Sequence, residues 1–353
     1  MDLNGTLSGE EIDVLTTVYL VSLTPSVIGS LSVLVVSILR WKHLKQQVHL
    51  LMQLALADLL AALILMSSSA MNRLQTDSSV TICQYILPLS LTCYFISFLL
   101  VVVYAWKSKN AIQGWRTRPE DVENTQNQCR RKRVLLPVYL IVWLTPIAIY
   151  LAYVLTPFIK TTPLIPDTNK STILQNESKY CTSCILFLHV WRDSCSDAEI
   201  IHDTFIKVFL FLVVIPVMLS CSVIYYKVGK WYQRYTNQDL FPVEGDGQSR
   251  RRFKNMFSTA GKMVMVILFC WVPALVLILL STLITWTNVG QRSLFGLYII
   301  QAASVSLQGF LNSLVYAWRR TNFTEAVLGE NTPLLAYTRR AFFEESLRSE
   351  TLT

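Results

Sequence analysis

Seven long apolar runs constrain this chain more than any other feature of its sequence. Each run reaches the ~20 residues that an α-helix needs to cross the ~30 Å hydrocarbon core of a membrane. The runs are continuous rather than alternating, which favours helices over the strands of a membrane β-barrel. The predicted spans are residues 14–39, 49–71, 80–106, 134–158, 204–226, 257–285 and 294–318. The sequence therefore predicts an all-α protein built as a seven-transmembrane helix bundle.

The composition supports a membrane location and excludes a nucleic-acid partner. Hydrophobic residues make up 52% of the chain and charged residues only 15%, whereas soluble domains carry about 25% charged residues. The net charge of +8 is sorted among the loops between the spans, so it forms no single basic face for a nucleic acid. No metal-type spacing of Cys and His residues is present, and no enzyme cofactor is expected.

The Lys and Arg residues predict the orientation of the bundle. If the N-terminus lies outside, the inner segments carry 23 of these residues and the outer segments carry 6. Inner loops of membrane proteins are enriched in positive charge, so the segment 1–13 is predicted to be extracellular and the tail 319–353 cytoplasmic. The sequons at Asn4, Asn169 and Asn176 fall on the outer side and are predicted glycosylation sites.

The tail carries two further signals. Residues 319–328 place apolar side chains on one helical face beside basic ones, which is typical of a short amphipathic helix at the membrane interface. This segment would be an eighth helix. Glu330, Leu334 and Leu335 resemble the acidic dileucine signal that endosomal sorting adaptors bind. The plasma membrane is therefore the predicted location, with endosomes as the alternative. The basic inner loops suit either a cytosolic protein or anionic lipids.

Four cysteines lie on the predicted outer face, where the environment is oxidising and disulfides form. Cys83 ends the third span on that side, and Cys181, Cys184 and Cys195 lie in the long outer loop. Cys83 is expected to pair with one loop cysteine and the other two with each other. The sequence does not decide the pairing, although Cys195, nearest the fifth span, is the preferred partner. A metal site at Cys181 and Cys184 is disfavoured, because no second pair or nearby His completes it.

Asp58 is the only carboxylate within the seven predicted spans. A charge at such a position costs roughly 2.5–3.5 kcal/mol on insertion scales, so it should face the bundle interior and have partners. Ser30, Ser97 and Asn312 lie at a similar depth when residues are counted from the predicted inner ends. Two interpretations are open. Asp58 is either a protonated group that joins helices by hydrogen bonds, or, with these three residues, a site for a proton or Na⁺.

The sixth span contains the sequence Cys270-Trp271-Val272-Pro273. A proline within a helix removes one backbone donor and crowds the carbonyl of residue 269. A helix in lipid must nevertheless continue, because unpaired backbone groups have no other partner there. This motif therefore predicts a kinked membrane helix with an indole at the bend. It resembles the sixth-helix motif of rhodopsin-like G protein-coupled receptors.

Marks of the same family occur in the other spans and in the family's order. In the seventh span, the stretch Ser306-Leu307-Gln308-Gly309-Phe310-Leu311-Asn312 also resembles the seventh helix of the cAMP-receptor-like and secretin-like families. The marks are Gly29-Ser30-Leu31-Ser32-Val33, Leu54-Ala55-Leu56-Ala57-Asp58, Ser97, Trp143 with Pro146, Pro216, and Asn312-Ser313-Leu314-Val315-Tyr316. The chain thus resembles a divergent G protein-coupled receptor over residues 14–328.

This resemblance implies a ligand pocket, a switch and cytosolic partners. The pocket would consist of Ser90, Tyr94, Trp271, Leu275, Tyr298 and Gln301. The switch would consist of Trp271, Pro273, Asn312 and Tyr316. None of the pocket residues is charged, which favours a lipid or another largely apolar ligand and leaves open that there is none. A heterotrimeric G protein or an arrestin would be the inner partner, and membrane lipids surround the bundle.

The inner end of the third span departs from the family. Lys107-Ser108-Lys109 stands where the family has Asp-Arg-Tyr, so the arginine that contacts a G protein is missing. A protein with a receptor fold and a trafficking or structural role is therefore the main alternative. A transporter is less favoured, because there is one intramembrane carboxylate and no repeat. An enzyme is not expected, because Asp58 has no His at catalytic spacing.

Overall fold

Most of the described residues lie in helices. The main exception is the segment 184–188, which the sequence predicts to lie on the outer side and which we call the outer segment. The computed structural model describes residues 7–39, 48–74, 77–114, 124–155, 184–188, 206–208, 211–220, 222–223, 226–227, 230, 246–284 and 291–315. The long helices before the outer segment are α1 (Gly9–Leu39), α2 (Val48–Leu74), α3 (Asp77–Gly114) and α4 (Asn124–Leu155). The shorter apolar α5 (Ile206–Ser220) follows, with residues 209–210 outside the description. The remaining elements are α6 (Asp246–Ile284), a 3-10 turn (Gln291–Leu294), α7 (Phe295–Ser306) and α8 (Gln308–Ser313). No β-strand occurs among these residues.

Among the described residues, six helical stretches are long and apolar enough to cross a membrane. They are Gly9–Leu39, His49–Arg73, Tyr85–Lys107, Pro137–Leu155, Gly261–Leu280 and Arg292–Ser313, the last of which joins α7 and α8. They confirm the all-α class and six of the predicted spans. The predicted span 204–226 corresponds to α5, which falls below that length. The count of seven spans and the outer position of the N-terminus therefore remain predictions.

Several helices begin earlier than the hydropathy of the sequence indicates. α4 begins at Asn124 and α6 at Asp246, although the predicted spans begin at 134 and 257. The predicted loops 107–133 and 227–256 were therefore too long. Hydropathy marks only the part of a helix that suits lipid, whereas Arg, Lys and Gln also favour helix outside lipid.

The start of α1 is fixed by a reciprocal pair of hydrogen bonds. The backbone N–H of Ser8 donates to Glu11 Oε2 at 2.8 Å, and the backbone N–H of Glu11 donates to Ser8 Oγ at 3.3 Å. This capping box satisfies donors that a helix start leaves without an intrahelical partner. The helix therefore begins at Gly9, before the apolar run that starts at residue 14, because this local signal lies outside the run.

The helices pack as neighbours around a core to which most of them contribute. α2 contacts α1 and α3, α3 also contacts α4 and α6, α6 contacts α7, and α1 contacts both α7 and α8. α1 and α8 approach closely because glycines face small residues. A Cβ atom on Gly309 would lie 2.9 Å from Ser30 Oγ, and one on Gly29 would lie 3.2 Å from Ser313 Oγ. Small residues commonly allow such close approaches between membrane helices.

A serine from α1 interrupts the helix between α7 and α8. Ser26 Oγ donates to the carbonyl oxygen of Ser306 at 2.5 Å and accepts from the backbone N–H of Phe310 at 3.1 Å. In a regular helix these two backbone groups would bond to each other. A side chain that enters the backbone ladder is a recognised cause of a helix break, and the break here falls at Leu307.

Candidate functional site

A buried polar network lies in the middle of the bundle, and Asp58 of α2 is its centre. Asp58 Oδ1 accepts hydrogen bonds from Ser97 Oγ of α3 at 2.7 Å and from Gln308 Nε2 of α8 at 3.2 Å. Asp58 Oδ2 accepts from Asn312 Nδ2 of α8 at 2.7 Å. The structure thus brings Asp58 together with two of the three residues predicted at its depth. The network therefore joins α2, α3 and α8.

Gln308 extends this network to α6. Its Oε1 accepts a hydrogen bond from the indole N–H of Trp271 at 2.6 Å, while its Nε2 donates to Asp58. The same Nε2 lies 3.2 Å from Ser97 Oγ. A primary amide has an acceptor at one atom and two donors at the other. Gln308 can therefore bond to the indole and the carboxyl group at once, and it is the bridge between α6 and α2.

The indole of Trp271 is fully buried among three aromatic rings. Tyr94 and Phe98 lie one turn apart on α3, with ring centroids 5.3 Å and 5.0 Å from that of Trp271. Phe187, from the outer segment, lies at 6.3 Å. All three rings meet the indole edge to face, an arrangement that aromatic pairs favour. The rings hold the indole laterally while Gln308 fixes its N–H.

All of the predicted ligand-pocket residues lie on described helices. Ser90, Trp271 and Gln301 form hydrogen bonds with other groups of the protein. Ser90 is buried and donates to the carbonyl oxygen of Leu87 at 2.8 Å. Gln301 Nε2 donates to Tyr19 Oη of α1 at 3.0 Å. Tyr298 is buried and Leu275 is half-buried. Trp271 contacts Phe187 of the outer segment, while Tyr94 contacts Trp271 and Gln301 contacts Tyr19, which bonds to the segment.

The outer segment, residues 184–188, is joined to the bundle by a disulfide bond. Cys184 is bonded to Cys83 of α3. The expectation that Cys195 is the partner of Cys83 is therefore wrong. The length of the loop allows any of its cysteines to reach Cys83, so proximity to the fifth span was no guide. Cys181 and Cys195 lie outside the described residues. We call the end of the bundle that carries this disulfide the Cys83 end.

The opposite end of α3 carries Lys107, and we call it the Lys107 end. Lys107 Nζ donates to Tyr139 Oη of α4 at 2.5 Å and lies 4.8 Å from the centre of that ring. The ring of His49 of α2 stacks on Tyr139 with centroids 5.4 Å apart. Lys107, the first residue of the predicted departure Lys107-Ser108-Lys109, is therefore held by an aromatic residue of the neighbouring helix.

The polar network provides oxygen atoms that fit a monovalent cation. The carboxyl oxygens of Asp58 and the hydroxyl of Ser97 adjoin Asn312, whose Oδ1 is buried without a partner among the described residues. Ser30 Oγ is likewise buried and unpartnered within that part of the chain. No group of three or more His, Cys, Asp or Glu residues occurs in the described regions. The donor set suits Na⁺ better than a divalent cation, which prefers several carboxylates.

Some predicted site residues fall outside the described part of the chain. Pro273 lies inside α6, two residues after Trp271, as the sequence indicates. The residues outside the description are Tyr316 of the switch, Asn4, Asn169 and Asn176 of the sequons, and Glu330, Leu334 and Leu335 of the sorting signal. These remain predictions.

Sequence reasoning missed four residues of the site. Gln308 could have been predicted from the sequence, because it is an amide residue in a largely apolar span, one turn before Asn312. Tyr19 and Phe98 could not, since aromatic residues in membrane spans usually serve only in packing. Phe187 lies in an outer loop, and nothing in its neighbourhood predicts that it enters the bundle.

The comparisons with known proteins identify one family. The family model described as transmembrane protein 116 matches residues 12–342. No curated protein matches the chain significantly. The matched description names a transmembrane protein and no function, so the likeness to G protein-coupled receptors remains a prediction. The match covers all six membrane-spanning stretches except the first residues of α1. The chain is therefore a multi-pass membrane protein and belongs to the transmembrane protein 116 family.

Proposed function

We propose that this protein is a receptor-like seven-helix membrane protein that transmits a signal from its Cys83 end to its Lys107 end. The observation that carries the proposal is the bridge from Trp271 through Gln308 to Asp58. It links the helix with the proline kink to a buried carboxyl group, which is costly in a membrane and usually functional. The Cys83 end would receive the ligand signal, and cytosolic partners would bind the Lys107 end.

The geometry suggests how two states could be coupled. Pro273 leaves one backbone carbonyl of α6 without its helical donor, so α6 can bend near Trp271 at low cost. A shift of the indole would break its bond to Gln308 and change the donors around Asp58. The two packings would then differ in the position of the inner part of α6, and a ligand that favours one of them would shift the population.

The second candidate function is that of a receptor fold without G-protein signalling. The contact between Lys107 and Tyr139 favours it, because the basic group at the end of α3 is engaged within the bundle. In this case the protein would act in trafficking or as a scaffold, at the plasma membrane or in endosomes. Glu330, Leu334 and Leu335 would then direct its sorting.

The experiment that separates these functions is G-protein dissociation in cells that express the chain, tested with all four G-protein classes. We expect a constitutive signal that Trp271→Ala and Asp58→Asn each change. Leu144→Ala is the control, because Leu144 is an exposed residue of α4 that takes no part in the network. A signal that responds equally to all three substitutions would contradict the role of the network. Silence with normal surface expression would favour the second candidate.

A further inference from the structure

The outer segment enters the bundle rather than covering it. Ile185, Leu186, Phe187 and Leu188 are all buried, and Leu186 has no exposed surface. All four belong to the same hydrophobic core as the helices. Loops usually run over protein surfaces, since their backbone groups need water or another partner. A loop segment with four successive buried apolar residues therefore needs a specific explanation.

The segment is held to the bundle by bonds of three kinds. The disulfide joins Cys184 to α3. Tyr19 Oη of α1 lies 3.2 Å from both the carbonyl oxygen of Leu186 and Gln301 Oε1, the two acceptors within reach of its single proton. It accepts a hydrogen bond from Gln301 Nε2 of α7. The Phe187 ring meets the face of Trp271 on α6. Three residues of the segment thus contact α3, α1 and α6 by covalent, polar and aromatic contacts, and Tyr19 links the segment to Gln301 of α7.

The backbone of the segment shows that this placement is enforced. Phe187 has a φ of 65°, the one positive φ of a residue other than glycine among the described residues. A bulky residue rarely adopts that conformation, and it persists only where the surroundings determine it. In this conformation the Phe187 ring lies with its centroid 6.3 Å from that of Trp271.

We propose that the segment Ile185–Leu188 is a built-in peptide ligand of the bundle. It takes the place of a diffusible ligand at the Cys83 end, and the Phe187 ring holds Trp271 in the arrangement that bonds to Gln308. Tyr94, Gln301 and Trp271 were predicted to line a ligand pocket, and each lies in direct contact with the segment or with a residue that binds it. The inference rests on the proposed function for its consequence, since the segment would set the state of the switch.

The test measures the position of α6 rather than signalling. A cysteine is introduced near the start of α6 by Met256→Cys, and its rate of labelling by a maleimide is measured in membranes, with the unsubstituted chain as background. Phe187→Leu should change this rate by about two- to tenfold, the range expected for the loss of one aromatic pair. Ile185→Ala is the matched control, because it removes the same number of carbon atoms from the same buried segment. Phe187→Tyr keeps the ring and should retain the original rate.

The outcomes are distinct. An effect of Phe187→Leu that is absent in Ile185→Ala and in Phe187→Tyr supports the inference. Equal effects of Phe187→Leu and Ile185→Ala, or no effect of either, would overturn it, since the segment would then only fill space. G-protein dissociation is recorded for the same variants. A changed labelling rate without G-protein dissociation supports the built-in ligand while it contradicts the proposed signalling.

Discussion

At the scale of single residues, Gln308 has a role that few other side chains could fill. It must accept a hydrogen bond from an indole N–H and donate one to a carboxyl oxygen. Glutamate would lose the donor and leucine would lose both groups, and buried polar atoms without partners cost about 1–3 kcal/mol each. The polar network is therefore specified by side-chain chemistry and not by burial alone.

Gly309 is the residue whose enlargement should disturb the bundle most simply. In Gly309→Ala the new methyl group would meet Ser30 Oγ at 2.9 Å and Ser26 Cβ at 3.3 Å. Ser30 can rotate its hydroxyl away, but Ser26 Cβ cannot move without its helix. We expect a loss of about 1–3 kcal/mol in the free energy of unfolding, as for other overpacked sites. Thermal unfolding of the purified protein measures this loss.

Gly296→Ala is the control for that substitution, because no atom lies within 4 Å of a Cβ built at Gly296. Its melting temperature should remain close to that of the unsubstituted chain. Equal melting temperatures for the two variants would show that α1 and α8 do not approach as closely as described.

A second residue-scale prediction concerns sodium at Asp58. If Na⁺ binds to the oxygen atoms of this network, replacing potassium by sodium should raise the melting temperature, because a ligand that binds only the folded state stabilises it. Asp58→Asn removes the negative charge and should abolish this sodium effect. Ser68→Ala should preserve it, since Ser68 is a buried residue of the same helix that bonds only within α2. A sodium response unaltered in Asp58→Asn would contradict a Na⁺ site at Asp58. The remaining interpretation would be that Asp58 joins helices by hydrogen bonds.

At the scale of helices, the break between α7 and α8 illustrates a structural feature imposed by a neighbour. No proline lies beside Leu307, and the apolar run 294–318 predicts a continuous helix. The break arises because the Ser26 hydroxyl replaces the backbone bond between Phe310 and Ser306. The interruption separates Gln301, which bonds to α1, from Gln308 and Asn312, which bond to the polar network.

Ser26→Ala should therefore destabilise the protein although it removes a single oxygen atom. It leaves the Phe310 N–H and the Ser306 carbonyl oxygen without their partner, and we expect a loss of about 1–3 kcal/mol. Thr24→Ala is the control on the same helix, because Thr24 is more exposed and bonds to a carbonyl of its own helix. Amide hydrogen exchange at Phe310 should accelerate in Ser26→Ala only. An equal loss of stability in both variants would count against the insertion.

At the scale of the whole molecule, hydropathy predicted the helical class and the positions of the spans well. The physical reason is that lipid demands a continuous apolar helix of a set length. The same argument predicted that Asp58 needs buried partners, and the structure brings Ser97 and Asn312 to it. Depth along a helix can be counted from sequence, so residues in one layer could be proposed together.

The features that escaped prediction depend on rotation about a helix axis or on the path of a loop. Ser30 lies at the predicted depth, yet its hydroxyl faces Gly309. The pairing of Cys83 with Cys184 and the entry of Phe187 into the bundle depend on the course of the outer loop, for which the sequence gives no register. Helix periodicity does not reveal which helix lies opposite a given residue.

In the proposed function, the bridge through Gln308 couples α6 to the polar network around Asp58. The most direct test is the maleimide labelling rate of Met256→Cys in the Gln308→Leu background. Ser304→Ala is the matched control, because the Ser304 hydroxyl also joins α7 to α6, at the carbonyl oxygen of Cys270, but takes no part in the network. We predict that Gln308→Leu changes the rate, that Trp271→Ala adds no further change to it, and that Ser304→Ala leaves it as it was. A rate that Gln308→Leu does not alter, or that Ser304→Ala alters equally, would contradict this account.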